Sequence, residues 1–95
     1  MKEQDIQAKI IKYLSDRGWL VTKNIATSRK GTPDLTAMKD GLVFMIEVKK
    51  PGKKLSPLQR VYKLQAKRHH GVDVIRADGV EDIENYLKKM RYEMD

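Results

Sequence analysis

Asp34-Leu35-Thr36-Ala37-Met38-Lys39-Asp40-Gly41-Leu42-Val43-Phe44-Met45-Ile46-Glu47-Val48-Lys49 reads as two strands joined by a tight turn. Asp40-Gly41 is a strong hairpin signal between two strand-like runs. Asp34 to Met38 is a short strand candidate. Leu42 to Val48 is the most apolar stretch of the chain. Its first five residues carry no polar break, which predicts a strand covered on both faces.

Outward from this hairpin the pattern stays regular. Ala26 to Pro33 is polar and turn-rich, a loop. Trp19 to Thr22 reads as a strand. Residues from Glu3 to Arg17 read as an amphipathic helix, with Ile6, Ile10 and Leu14 recurring every four residues, Tyr13 beside them and Gly18 as the stop. On the other side, Lys49-Lys50-Pro51-Gly52-Lys53-Lys54 is a basic loop. Ser56-Pro57-Leu58-Gln59 then opens a helix: Ser56 caps, Pro57 suits the first position and Gln59 reaches back. That helix runs to His70 and ends at Gly71. Val72 to Arg76 is a further strand. A last helix follows Asp78-Gly79, with Val80, Ile83, Leu87, Met90 and Met94 on one face and acidic residues ahead of basic ones, as the helix dipole favours. The expectation is one α/β domain over residues 1–95, a mixed sheet flanked by helices in the order αβββαβ plus a C-terminal helix.

Composition limits the function classes. Twenty Lys and Arg against thirteen Asp and Glu give a net charge of +7. On so small a chain that balance favours a polyanionic partner; the alternative is a generically basic surface. The absence of Cys excludes disulfides and thiolate zinc sites. No apolar run is long enough for a membrane span, and the first residues lack a signal-peptide core. The expected location is the cytoplasm of a bacterial or phage-infected cell.

Glu47 and Lys49 sit two apart on one strand and point to the same face. They end the most apolar strand, where charge is costly unless paired or ion-bound. Three readings follow: a structural ion pair, an exposed strand end, or a site. Pro33-Asp34 adds weight to the third. The hairpin brings Asp34, at the start of one strand, near Glu47, at the end of the other. Two carboxylates with room for water and phosphate suit Mg²⁺. An ion there would polarise a scissile phosphate and lower the pKa of a bound water, while Lys49 orients that water or offsets developing charge. The other reading of Asp34 is a turn residue after proline.

Gly31-Thr32-Pro33-Asp34-Leu35, Ile46-Glu47-Val48-Lys49 and Leu55-Ser56-Pro57-Leu58-Gln59 together resemble the virus-type replication-repair nuclease (VRR-NUC) domain. That domain belongs to the PD-(D/E)XK superfamily, beside the archaeal Holliday-junction resolvases. The resemblance covers essentially the whole chain. It implies a restriction-endonuclease-like core and phosphodiester hydrolysis with Mg²⁺ or Mn²⁺. It implies Asp34 and Glu47 as metal ligands, with the backbone carbonyl of Val48 as a third. Lys49 matches the family lysine. Gln59 matches a glutamine that supports the metal water or the lysine; its other reading is the capping box. Glu3 matches the acidic residue of the first helix and Gln7 its glutamine, with Asp5 as a rival for the acidic role.

Around this centre, Arg29, Lys30, Lys50, Lys53, Lys54 and Arg60, with Lys63, are candidate DNA-phosphate contacts, or else a solvated basic surface. His69-His70 suits a helix C-terminus better than a metal. Trp19 and Tyr62 read as core or interface. The leading expectation is a structure-selective endonuclease acting on branched DNA, at four-way junctions, as a homodimer joined through the last helix or through Trp19 and the first helix. The competing expectations are a non-catalytic basic DNA-binding module and a small protein-interaction domain.

Overall fold

The computed structural model of the chain describes residues 1–90. The chain runs α1 (Glu3–Asp16), β1 (Leu20–Lys23), β2 (Leu35–Lys39), β3 (Leu42–Val48), α2 (Pro57–His70), β4 (Asp73–Ala77) and α3 (Val80–Lys89). The strands form one sheet in the order β1-β2-β3-β4. β1, β2 and β3 pair antiparallel, and β4 joins β3 in parallel. Two parallel neighbours need a crossover, and α2 is that crossover.

The hairpin turn sets the register. Asp40 and Gly41 have φ of 50° and 81°, as a two-residue turn with both residues left-handed requires. Lys39 therefore pairs with Leu42, and Leu35 with Ile46. One residue further, Asp34 stands opposite Glu47.

Alternation along the strands divides the sheet into two faces. Leu35, Ala37, Phe44, Ile46, Val48 and Ala77 line one face and are buried. They pack with Ile6, Ile10 and Leu14 of α1 and Ile83 and Leu87 of α3. Trp19 meets Phe44 edge-on at 5.1 Å between ring centres, and Tyr86 lies against the same ring at 4.8 Å. Burying each such large apolar side chain stabilises the fold by about 1.5–3 kcal/mol.

The other face is only half covered. α2 packs on β4 and leaves the β1–β2 side bare. Leu20, Met38 and Val43 are consequently exposed, at 62%, 39% and 41%. The expectation that β3 is covered on both faces thus holds for its second half and fails at its start. Met90, expected on the buried face of the last helix, lies just past the end of α3 and is 49% exposed. Met94 lies outside the described residues. Trp19 and the apolar stripes of α1 and α3 belong to the protein's own core. They are not available as a dimer interface, contrary to the expectation above. The exposed apolar stripe lies instead on α2, at Leu58, Val61 and Leu64.

Candidate active site

The site lies where the open end of the β2–β3 hairpin meets the first turn of α1. Asp34 precedes β2, and three contacts fix the backbone around it. Asn24 Nδ2 donates to the Pro33 carbonyl at 2.9 Å and to Thr36 Oγ1 at 3.0 Å. The Asn24 backbone N–H donates to the Asp34 carbonyl at 2.8 Å. On the side-chain side, Asp34 Oδ2 accepts the Val48 N–H at 2.8 Å. A strand residue presents its N–H and C=O to the same neighbour. The Val48 carbonyl therefore lies on the strand edge that faces Asp34.

Glu47 is the buried charged residue of the described chain, 5% exposed. Burial pushes its carboxyl up to about 8, and the charge of Asp34 and a hydrogen bond between the two carboxyls add to this. Lys49 lowers the value and Glu3 raises it. Lys49 Nζ stands 4.0 Å from Glu47 Oε2, beyond hydrogen-bond range. A structural ion pair would hold Glu47 ionised through close contacts. This pair does not. Burial and the neighbouring Asp34 carboxylate instead favour the protonated form of Glu47.

That observation tests the fit of a cation. A buried carboxyl set beside a second carboxylate is a place where a divalent ion can replace the proton. Among the described residues no group of three or more His, Cys, Asp or Glu side chains gathers to hold a metal. The donors present are two carboxylates and one carbonyl. That set suits an ion that keeps several waters, as Mg²⁺ does.

The remaining candidates sort clearly. Glu3 is half-buried in the first turn of α1 and near enough to act on Glu47. Its rival Asp5 is exposed, and its Oδ2 accepts the Lys2 N–H at 3.2 Å at the helix start. Gln7, half-buried, lines a shallow depression with Lys2, Glu3, Gln4 and Lys50. The Gln59 Oε1 accepts the Ser56 N–H at 2.8 Å, and the Gln59 N–H donates to Ser56 Oγ at 3.2 Å. That is the capping box, so Gln59 serves the start of α2 in this state. Arg29 donates to Gln65 Oε1. Arg60 Nη1 donates to the Leu55 carbonyl at 3.0 Å. Lys30, Lys50, Lys53 and Lys54 are exposed.

Gly31 explains how its loop is seated. With φ of +85°, a Cβ there would lie 2.5 Å from the Leu58 carbonyl oxygen. The loop before Asp34 therefore packs backbone to backbone on the first turn of α2. Asn24 and Arg76 act on the site's surroundings and were not singled out from the sequence. Asn24 is one polar residue after a short strand and gives no local signal.

The chain is thus an α/β domain with a mixed four-stranded sheet, and it carries a paired Asp and Glu at a hairpin's open end with a lysine two residues on. The chain belongs to the VRR-NUC domain family, whose model matches residues 2–81. A solved VRR-NUC domain structure superposes with a TM-score of 0.75 at 24% identity, over 90% of this chain and 94% of that one. The p44 protein of Acyrthosiphon pisum secondary endosymbiont phage 1, described as a candidate nuclease, is 30% identical over 60 residues. That match takes in 62% of this chain and 64% of p44, just under two thirds of its length.

Proposed function

We propose that the chain is a divalent-metal-dependent, structure-selective DNA endonuclease that cuts four-way (Holliday) junctions during DNA repair, as a cytoplasmic homodimer. One observation carries the catalytic part: the buried Glu47 carboxyl is held against Asp34, and among the described residues no cation stands in hydrogen-bond range of it. Asp34, Glu47 and the Val48 carbonyl would hold Mg²⁺ or Mn²⁺. Such an ion supplies Lewis-acid polarisation of a phosphate and a water of lowered pKa. The Val48 N–H fixes one Asp34 oxygen, and the sheet fixes Glu47. Lys49, 16% exposed beside them, brings positive charge to the place where the phosphate gathers negative charge. Glu3 acts on Glu47 from α1 and lines, with Gln7 and Lys50, a depression alongside, where Glu3 and Gln7 would orient the water or the substrate.

The net charge of +7 supports a nucleic-acid substrate. The same charge favours a second reading, a binding module without catalysis. The homodimer rests on exposed apolar side chains: Leu58, Val61 and Leu64 on α2, with Leu20, Met38 and Val43 on the bare half of the sheet. Symmetric cuts on a junction need two sites related by a two-fold axis.

The test is cleavage of end-labelled four-way-junction and duplex DNA in Mg²⁺ or Mn²⁺, beside Asp34→Ala and an EDTA control. Junction cuts lost in both controls support the proposal. Tight binding without cuts in either metal favours the binding module.

A further inference from the structure

Arg76 stands beside Glu47 in the register of the parallel β3–β4 pair. Its guanidinium nevertheless turns to a loop and to Asp78. Nε and Nη2 both donate to the Lys53 carbonyl, at 3.0 and 2.8 Å. Nη2 also donates to the Lys50 carbonyl at 3.1 Å, and Nη1 to Asp78 Oδ2 at 2.7 Å. The two carbonyls close one turn. The Lys53 N–H donates to the Lys50 carbonyl at 3.1 Å, with Pro51 and Gly52 between them. Gly52 has φ of +84°, as the third residue of a type II turn requires.

This turn follows directly on Lys49, whose own N–H is held by the Ala77 carbonyl at 2.9 Å. Residues 50–54 are all exposed, so no apolar core anchors them. Lys50, Lys53 and Lys54 repel one another, which alone would splay the loop. The planar guanidinium holds both carbonyls and the Asp78 carboxylate at once, in one fixed geometry.

We propose that Arg76 is a positioning residue. It locks the Lys50–Lys53 turn so that Lys50, Lys53 and Lys54 form a preorganised seat for nucleic-acid phosphates beside the Asp34–Glu47 centre. The proposal rests on the nuclease reading and adds a residue through which substrate binding is set. Preorganisation lowers the ordering cost of binding, so the effect falls on affinity more than on the chemical step.

The test compares wild type, Arg76→Ala, Arg76→Lys, a Lys50→Ala/Lys53→Ala/Lys54→Ala triple variant, and that triple with Arg76→Ala. Binding of fluorescent duplex and junction DNA is measured in EDTA across a salt series, and cleavage in Mn²⁺. Arg76→Ala is expected to raise Kd about tenfold, which is ~1.4 kcal/mol, with KM rising more than kcat falls. Arg76→Lys does not restore affinity, because one shorter ammonium cannot replace together the two bonds to the Lys53 carbonyl, the bond to the Lys50 carbonyl and the bond to Asp78. On the triple-lysine background Arg76→Ala changes Kd by less than about twofold, since the two act as one unit.

Gly52→Val guards against a folding defect. Nothing lies within 4 Å of a Cβ there, yet its φ of +84° opposes a branched side chain. It disturbs the turn without touching Arg76 and is expected to weaken binding similarly. Full additivity on the triple background, or full rescue by Arg76→Lys, overturns the proposal. Wild-type affinity in both Arg76→Ala and Gly52→Val overturns it too while leaving the nuclease reading intact. A wild type that neither binds nor cuts DNA overturns the nuclease reading first.

Discussion

Glu47→Gln separates a metal ligand from a structural ion. The substitution keeps the shape of a protonated carboxyl and removes its charge. In the metal-free fold Glu47 is pushed from the usual 4.5 up to about 8, first by burial and then by Asp34. The unfolded chain therefore releases this proton above pH 4.5, whereas the folded chain keeps it until about pH 8. The stability this group contributes is complete below pH 4.5 and is lost as pH rises toward 8. At about 1.4 kcal/mol per unit, the loss at pH 7 is about 3 kcal/mol, and coupling to Asp34 and Lys49 brings the expected gain for Gln to about 1–3 kcal/mol. Glu47→Gln should thus be more stable than wild type at pH 7.5 in EDTA, by roughly 4–20 °C in Tm, with no such advantage at pH 4.5. The same variant should lose the rise in Tm that Mg²⁺ or Mn²⁺ gives the wild type. Paired melts at the two pH values decide the matter. A Glu47→Gln protein that is less stable at pH 7.5 refutes the reasoning, because Glu47 would then be an ion-paired structural residue.

The other expectations concern the frame around this carboxyl. Asp34→Ala leaves the Val48 N–H without its acceptor and should cost about 1–3 kcal/mol in urea melts, whereas Asp34→Asn keeps an oxygen there and costs less. Both should lower single-turnover cleavage about a hundredfold or more. Gly31→Ala meets the Leu58 carbonyl at 2.5 Å in a left-handed conformation. It should cost about 2 kcal/mol or more, read in the same melts. Val61→Glu with Leu64→Glu changes side chains that are 47% and 58% exposed. It should leave the melting curve of the monomer nearly unchanged and shift sedimentation from dimer to monomer, while an unchanged dimer moves the interface elsewhere.

The pairing of Asp34 with Glu47 was legible because it is arithmetic. A two-residue Asp40-Gly41 turn admits one register, and that register sets the two carboxylates opposite each other. The order of elements was legible for a similar reason, since α1 and α3 carry their buried residues at helical spacing and β3 opens as an unbroken apolar run. Sequence could not decide between the two roles of Gln59, because a cap and a catalytic contact use the same amide. The hydrogen bonds to Ser56 decide it for this state. Nor could it decide between Glu3 and Asp5, which differ only in where the first turn points them. Asp5 goes to the helix start and Glu3 toward Glu47. Arg76 was hidden among twenty cations, since its role depends on a parallel register and on a loop 23 residues earlier in the chain. The apolar faces of α1 and α3 could not be assigned to core or partner from sequence, because amphipathic helices look alike whether that face meets the protein's own sheet or a partner. Packing assigns α1 and α3 to the sheet and leaves the α2 stripe outside.

On the proposed reading, Asp34 and Glu47 together hold the ion that cleavage needs. Titrating Mn²⁺ into the metal-free protein by calorimetry, while following single-turnover cleavage of junction DNA over the same concentrations, tests it most directly. Mn²⁺ should bind the wild type and bind neither Asp34→Asn nor Glu47→Gln, with cleavage rising as the site fills. Mn²⁺ binding that survives both substitutions, or cleavage that persists in EDTA, would contradict it.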